Sequence, residues 1–376
     1  MKLGVIGYGE RIQYVISEIM SQDEQCRVTA IVDVREQEIR AELQAKGMQD
    51  VRIYATTEEM LASETLDGIL IGTRCSKHTE LALKVLPTGL PLFLEKPVST
   101  TIEDLYRLKQ GFEASNSQVV VSFPLRHSGI VTLVKEIIDS GKIGTVEHVQ
   151  AVNNVPYGNV YYMNWYRDEQ ETGGLFLQKA THDFDYLNHV IALPPKDICA
   201  MTSKQIFKGT KPAGLKCKAC DENRTCLEST AFEPEGSTRW EYCAFAEDTG
   251  NEDSGSALVR YASGMHLSYS QNFFARRGAQ ARGARFLGYK GTVDFDFYTG
   301  IVKVHMHHSP RVETYDLSAG QGHFGGDTEL ARNFVGIMRG EEVSTSPLDA
   351  GLLSALMCLK GRESAVTDTF QSLRWE

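Results

Sequence analysis

Along the first third of the chain, short apolar runs bounded by turn residues alternate with stretches whose apolar positions recur at helical spacing. KLGVIG (from Lys2), RVTAIVD (Arg27), VRIY (Val51), DGILIGT (Asp67), PLFLEK (Pro91) and QVVVSF (Gln118) read as strands. Ile12, Val15, Ile16, Ile19 and Met20 share one face of an intervening helix. This alternation predicts a doubly wound parallel sheet covered on both faces, an α/β domain over residues 1–123. Beyond it the pattern changes to a helix near Ser128 to Ser140, a strand TVEHVQAV, a helix from about Gly173 and alternating strands to about Leu317. Helical patterns near Phe324 to Arg339 and Leu348 to Ser364 follow. Residues 124–376 therefore read as one α+β domain with a mostly antiparallel sheet, carrying a cysteine-rich insertion at about 208–253.

A length of 376 residues suits two to three domains at ~150 residues each. The 39 basic and 49 acidic residues give a net charge of -10, which offers no general footprint for nucleic acid or anionic lipid and suits a small neutral substrate better. No run approaches the ~18 apolar residues of a membrane span, and MKLGVIGYG enters a strand without an export signal, so the cytoplasm is expected.

Gly7-Tyr8-Gly9-Glu10-Arg11-Ile12 links strand one to helix one. A dinucleotide fold needs glycine at this tight turn and where the backbone nears the pyrophosphate, which rests on the helix N-terminus. Ile12 stands where a third glycine is usual. Asp33 ends strand two, where a carboxylate accepts both ribose hydroxyls and repels a 2'-phosphate. NAD is thus favoured over NADP, although Arg35 could tolerate a phosphate. Glu95-Lys96-Pro97 closes strand five, at the carboxyl edge where open α/β sheets bind ligands, and Lys96 suits a general base.

GVIGYG, Asp33, DGILIGTRCSKHTELAL, LEKPVSTT, SFPLR and GKIGTVEHV together resemble the Gfo/Idh/MocA oxidoreductases, relatives of glucose-fructose oxidoreductase and inositol dehydrogenase. The resemblance implies an N-terminal Rossmann domain, a C-terminal domain whose large open sheet forms homo-oligomer contacts in a dimer or tetramer, a sugar or polyol substrate and a catalytic Lys96. It adds Thr73, Arg74, His78 and Glu95 to a cofactor set of Gly7, Gly9, Glu10, Arg11, Ile12, Asp33, Arg35 and Lys96.

The family's second catalytic stretch is similar to Gly173 through Asp185, where Gln178 and His182 share a helix face at i, i+4. His182 suits a donor or acceptor at the reacting hydroxyl. Gln178 occupies the family's usual aspartate position and cannot ionise, so Lys179, as a second active-site lysine, or Asp183 is expected to substitute, although Asp183 and Asp185 equally suit capping or pairing with nearby cations. Arg126, Tyr157, Trp165, Tyr166 and Arg167 resemble cleft positions, since aromatic faces stack on sugars and arginine reads hydroxyls or carboxylates. His323 and Asp327, in GQGHFGGD, resemble a string of NAD-dependent glycoside hydrolases and are placed near the substrate.

Eight cysteines in a chain without an export signal read as thiols or metal ligands. Cys217, Cys220, Cys226 and Cys243 cluster in the polar insertion, which from Cys217 to Asp253 holds ten acids and three bases. Such a loop needs a staple, and either a structural zinc or reduced thiols fits the spacing. His305, His307 and His308 in VHMHHSP read as a strand rim. The function expected is NAD-dependent hydride transfer with a sugar, polyol or sugar derivative. A redox-assisted glycoside hydrolase or lyase and a non-enzymatic nucleotide or sugar sensor are the alternatives.

Overall fold

A computed structural model describes residues 1–233, 240–317 and 323–375, and the chain divides into two units. The first comprises Met1–Gly129 with Gln321–Leu356, the second Ile130–Gly320 with Met357–Glu376. A late segment thus returns to the first unit.

The first unit runs β1 (Lys2–Ile6), α1 (Glu10–Gln22), β2 (Arg27–Val32), α2 (Glu36–Ala45), β3 (Arg52–Tyr54), α3 (Thr57–Ser63), β4 (Gly68–Ile71), α4 (His78–Val85), β5 (Leu92–Leu94), α5 (Ile102–Glu113) and β6 (Val119–Val121). All six strands are parallel in the order β3-β2-β1-β4-β5-β6, and β4, β5 and β6 are wholly buried, as continuous apolar strands between two helical layers must be. The order reverses between β1 and β4, which sets the loops after those strands side by side. Helix α1 buries Ile12, Val15, Ile16 and Ile19 as its periodicity predicts, while Met20 turns out to solvent.

The helix Gly326–Met338 packs on α1 in this same unit, and its Leu330, Phe334 and Ile337 complete a core with Ile12, Val15, Ile19, Leu70 and Phe93. The rings of Phe93 and Phe334 meet edge to face at 5.7 Å. An amphipathic pattern announces a helix there, but it does not say which sheet the apolar face will cover.

The second unit contains α6 (Gly129–Asp139), β7 (Val146–Asn154), α7 (Val160–Met163), α8 (Glu169–Thr172), α9 (Leu175–Ile191), β8 (Pro195–Ser203), β9 (Ser254–Tyr261), β10 (His266–Asn272), β11 (Ala281–Gly288), β12 (Gly291–Asp296), β13 (Ile301–Met306) and β14 (Val312–Asp316). After α10, the helix Gly326–Met338, come α11 (Leu348–Thr367) and β15 (Gln371–Ser372). Nine strands form one sheet, β14-β13-β12-β11-β7-β10-β9-β8-β15, in which only β7 and β10 pair in parallel. Strand β9 shows the alternation, burying Ala257, Val259 and Tyr261 and exposing Ser256, Leu258 and Arg260.

The insertion between β8 and β9 is less polar in its packing than in its composition. Phe207, Cys217 and Ala244 join Val155, Tyr162 and Phe273 in a buried cluster, and the Tyr162 and Phe207 rings stack at 4.1 Å. Backbone pairing of Lys216 with Tyr242 and the ion pair of Arg276 with Glu228 tie it further. The expectation of a loop without apolar content, in need of a metal staple, is corrected by this aromatic core.

Candidate active site

In the first unit, Gly7 has φ +83°, and a Cβ there would lie 2.7 Å from Thr73 Cγ2 and 2.8 Å from Thr73 N, so only glycine fits this turn. Gly9 caps α1 with open space around its missing Cβ, the nearest atom being Gly72 O at 3.9 Å, while Glu10 is exposed in the first turn. The bare Gly9 N-cap suits an anion at the helix N-terminus, whereas the Glu10 carboxylate beside it does not. Ile12 occupies the place of the third glycine because Gly72 directly follows β4. A Cβ on Gly72 would fall 2.7 Å from Ile12 Cβ, so the small residue has moved from helix to strand.

Asp33 accepts from Tyr8 N–H at 2.8 Å and from Arg35 Nη2 at 2.9 Å. Burial pushes its carboxyl up, but the hydrogen bonds from Arg35 and Tyr8 outweigh it, and Asp33 titrates below the usual range. An ionised acceptor is what ribose hydroxyls require. Arg35, exposed, lies across that carboxylate and also reaches Tyr8 O at 3.2 Å.

Lys96 follows β5, half-buried, and its peptide bond to Pro97 is cis. His78 is buried with Nδ1 2.8 Å from Pro97 O and Nε2 3.2 Å from Thr73 O. Burial, the main cause, lowers its pKa, and the neutral ring, with a single N–H, donates to one of these two carbonyls. Arg74 is exposed and Thr73 half-buried beside Gly7.

Arg11 joins residues expected at separate sites. Its Nε donates to Glu95 Oε1 at 3.0 Å and its Nη2 to Ser122 Oγ at 3.0 Å and to Asp327 Oδ1 at 2.5 Å. His323 Nδ1 lies 2.8 Å from Asp327 Oδ2. Burial pushes the Asp327 carboxyl up, but His323 and Arg11 together hold it at about 2. Arg11, placed in the cofactor set, is thus engaged by Glu95 and Asp327, and the two residues expected near the substrate belong to the nucleotide-binding unit. Arg126 is buried there too, donating to Thr345 O at 3.1 Å.

In the second unit, Glu252 caps α9 by accepting from the backbone N–H groups of Leu175 and Phe176, after Gly173 and Gly174 turn the chain with positive φ. Gln178, Lys179, His182 and Asp183 are all buried on that helix. Asp183 Oδ1 accepts from Arg282 Nε at 2.8 Å, and its Oδ2 from Asn153 Nδ2 at 2.7 Å and Tyr269 O–H at 2.8 Å. A carboxylate so fully engaged holds the helix to the sheet. This is the pairing with a nearby cation that the sequence also allowed for it.

The strand partners were missed, yet a signal existed. Asn153, Gln271 and Arg282 stand where apolar residues belong in the alternation of β7, β10 and β11, and register sets them side by side. Lys179 Nζ donates to Tyr157 O–H at 2.9 Å and lies over the Tyr157 and Tyr161 rings. Trp165 stacks on Tyr166 at 3.9 Å. Arg167 is buried against the Tyr242 ring and paired with Asp248.

The expected zinc site is not supported. Among the described residues no group of three or more His, Cys, Asp or Glu is placed to hold a metal ion, and the eight cysteines are free thiols. Cys217 Sγ faces Tyr242 O at 3.7 Å and Cys220 Sγ the Asp221 carboxylate at 3.8 Å. Burial, the main cause, and the nearby Cys217, Cys220 and Cys226 push the Cys243 thiol up; Cys226 is half-buried. His305 pairs with Asp294 and His307 with Thr292, as a strand rim would.

A parallel sheet in this order, with a glycine turn and an ionised acid at the end of β2, defines a dinucleotide-binding protein of the Rossmann class. The chain belongs to the GFO/IDH/MocA family: residues 1–123 match its oxidoreductase domain with NAD-binding Rossmann fold, and residues 131–294 its C-terminal domain. YteT of Bacillus subtilis (strain 168) is 27% identical over 58% of this chain and 58% of its own. Myo-inositol 2-dehydrogenase of Thermotoga maritima is 24% identical over 57% of this chain and 62% of its own. These matches span about six-tenths of the relatives' length. Among solved structures, levoglucosan dehydrogenase in complex with NADH and levoglucosan aligns over all of both chains with a TM-score of 0.80 and 16% identity. The WlbA dehydrogenase of Bordetella pertussis, in complex with NADH and UDP-GlcNAcA, aligns over 100% of this chain and 99% of its own with a TM-score of 0.73 and 20% identity. At such identities the likeness is one of fold. No helix among the described residues is long and apolar enough to cross a membrane.

Proposed function

We propose that this protein is an NAD-dependent dehydrogenase that oxidises a carbinol of a sugar, polyol or sugar derivative. The observation that carries the reading is the pairing, on one parallel sheet, of the ionised Asp33 beside the Gly7 turn with Lys96 at the end of β5. The nicotinamide cofactor, when bound, accepts the hydride. Asp33 accepts from its ribose hydroxyls, and Gly9 lets its pyrophosphate approach α1. Lys96 takes the proton of the reacting hydroxyl, with Glu95 and His78 fixing the segment that bears it. His182 orients that oxygen, and Lys179 serves as the second lysine of the site. NAD is preferred to NADP because a 2'-phosphate would meet the Asp33 carboxylate. Relatives and structural neighbours named as inositol and levoglucosan dehydrogenases support the carbohydrate class. The protein acts in the cytoplasm as a homo-oligomer joined through its large open sheet.

A panel of sugars and polyols should yield stoichiometric NADH, followed at 340 nm, and Lys96→Ala should lower turnover by ~10²-fold or more. Glycoside cleavage with solvent deuterium incorporated and no net NADH would overturn the dehydrogenase reading in favour of redox-assisted cleavage. Binding of NADP as tight as NAD would remove the role given to Asp33.

A further inference from the structure

Lys179 is 7% exposed, and an ammonium taken out of water costs several kcal/mol unless a counter-charge meets it. Among the described residues no carboxylate lies within 4 Å of its Nζ; its contacts are the Tyr157 hydroxyl at 2.9 Å and the faces of Tyr157 and Tyr161 at 5.0 and 5.3 Å. Asp183, one turn further along α9, does not supply the charge. Its two oxygens are taken by Arg282, Asn153 and Tyr269, and the Arg282 guanidinium is matched by it at 2.8 Å. The group formed by Lys179, Arg282 and Asp183 therefore keeps one net positive charge inside a protein whose total is -10.

We propose that this charge is a substrate subsite and that the substrate is a sugar acid, its carboxylate seated on Lys179 and the Tyr157 hydroxyl. The inference rests on the dehydrogenase reading above and narrows its substrate class. An ammonium has three donors, of which Tyr157 uses one, and the Tyr157 hydroxyl, accepting from Lys179, keeps its own proton to donate. Both can converge on one carboxylate as charge-assisted bonds. Tyr157 is 41% exposed, so the ring beside Lys179 meets solvent. The single excess charge suits a monoanion better than a phosphate.

The surroundings of Tyr157 favour negative charge there. Lys179 first, and then Arg282 against burial and Asp183, draw its phenol below the ordinary range, whereas burial sends Tyr161 and Tyr298 up, Tyr298 to about 12. An anion at that point comes either from a ligand or from the phenol itself.

The test is calorimetric titration of the NADH-loaded protein with D-glucuronate, D-galacturonate and D-gluconate, each against glucose, galactose or glucitol. At least one acid should bind ~10-fold or more tightly than its neutral counterpart, a preference that Lys179→Met abolishes and Tyr157→Phe reduces. NADH binding, measured separately, shows that each variant is folded; Tyr157→Phe keeps the ring over Lys179 and serves if Lys179→Met does not fold. Equal affinities for acid and neutral partners, or no binding of any acid, would overturn the proposal. So would tyrosinate absorbance near 295 nm at pH 8 in the unliganded protein that disappears in Tyr157→Phe, because the phenol would then provide the counter-charge. Acid binding that depends on Lys179, with no NADH formed when the same acids and their neutral counterparts are supplied with NAD, would leave this subsite standing and remove the dehydrogenase reading instead.

Discussion

Asp327 shows how a single carboxylate links stability to the nucleotide end of the molecule. Held at about 2 by His323 and Arg11, it is below its unfolded value near 4, so its contribution is present above pH ~4 and is lost as pH falls through 2. Asp327→Asn should therefore cost about 2 kcal/mol at pH 7, and the gap from the parent protein should close between pH 5 and 2. Urea unfolding across that range checks the sign: a gap that widens in acid would refute it. Residues of this kind were only half legible. Asp33 and Lys96 stand out as candidates because each closely follows a strand that the apolar pattern draws. The link from Arg11 to Asp327 joins positions more than three hundred residues apart, and no local spacing encodes it.

At the level of elements, the exchange of a small residue between α1 and β4 explains why an incomplete glycine fingerprint still builds the fold. The third glycine serves close packing of helix on strand, and Gly72 provides the same clearance from the other side. Gly72→Ala should destabilise by ~1–3 kcal/mol through overpacking, and Ile12→Ala by ~2–5 kcal/mol through the cavity it opens. Together they should cost less than the sum, and a double-mutant cycle read by thermal unfolding would show strictly additive effects if the two side chains did not share the space. Strand and helix types followed the periodicity of the sequence closely, since the buried faces of α1, β7 and β9 set it. The partners of those faces did not, and Asn153, Gln271 and Arg282 gained their meaning only from register across three strands.

For the whole molecule, composition misled where it was averaged. A net charge of -10 argued for a neutral ligand, yet seven of those excess negative charges lie between Cys217 and Asp253, and the buried lysine on α9 belongs to another environment altogether. The same insertion, read as a loop awaiting a metal, is held by Phe207, Tyr162 and their neighbours. Chain order carries one more consequence. Leu330, Phe334 and Ile337 close a core whose other walls are made by β1 to β6 and α1, so the nucleotide-binding unit stays unfinished on the ribosome until nearly the whole chain has emerged. A nascent chain halted after Asp316 should leave Ile12, Val15 and Phe93 uncovered, and pulse proteolysis should cut it in α1 under conditions where the released protein resists. Protection equal to that of the full chain would mean that the first six strands close without their late helix. During synthesis, then, the half that is made first depends on the stretch made almost last, and interruption late in translation should send both units to degradation together.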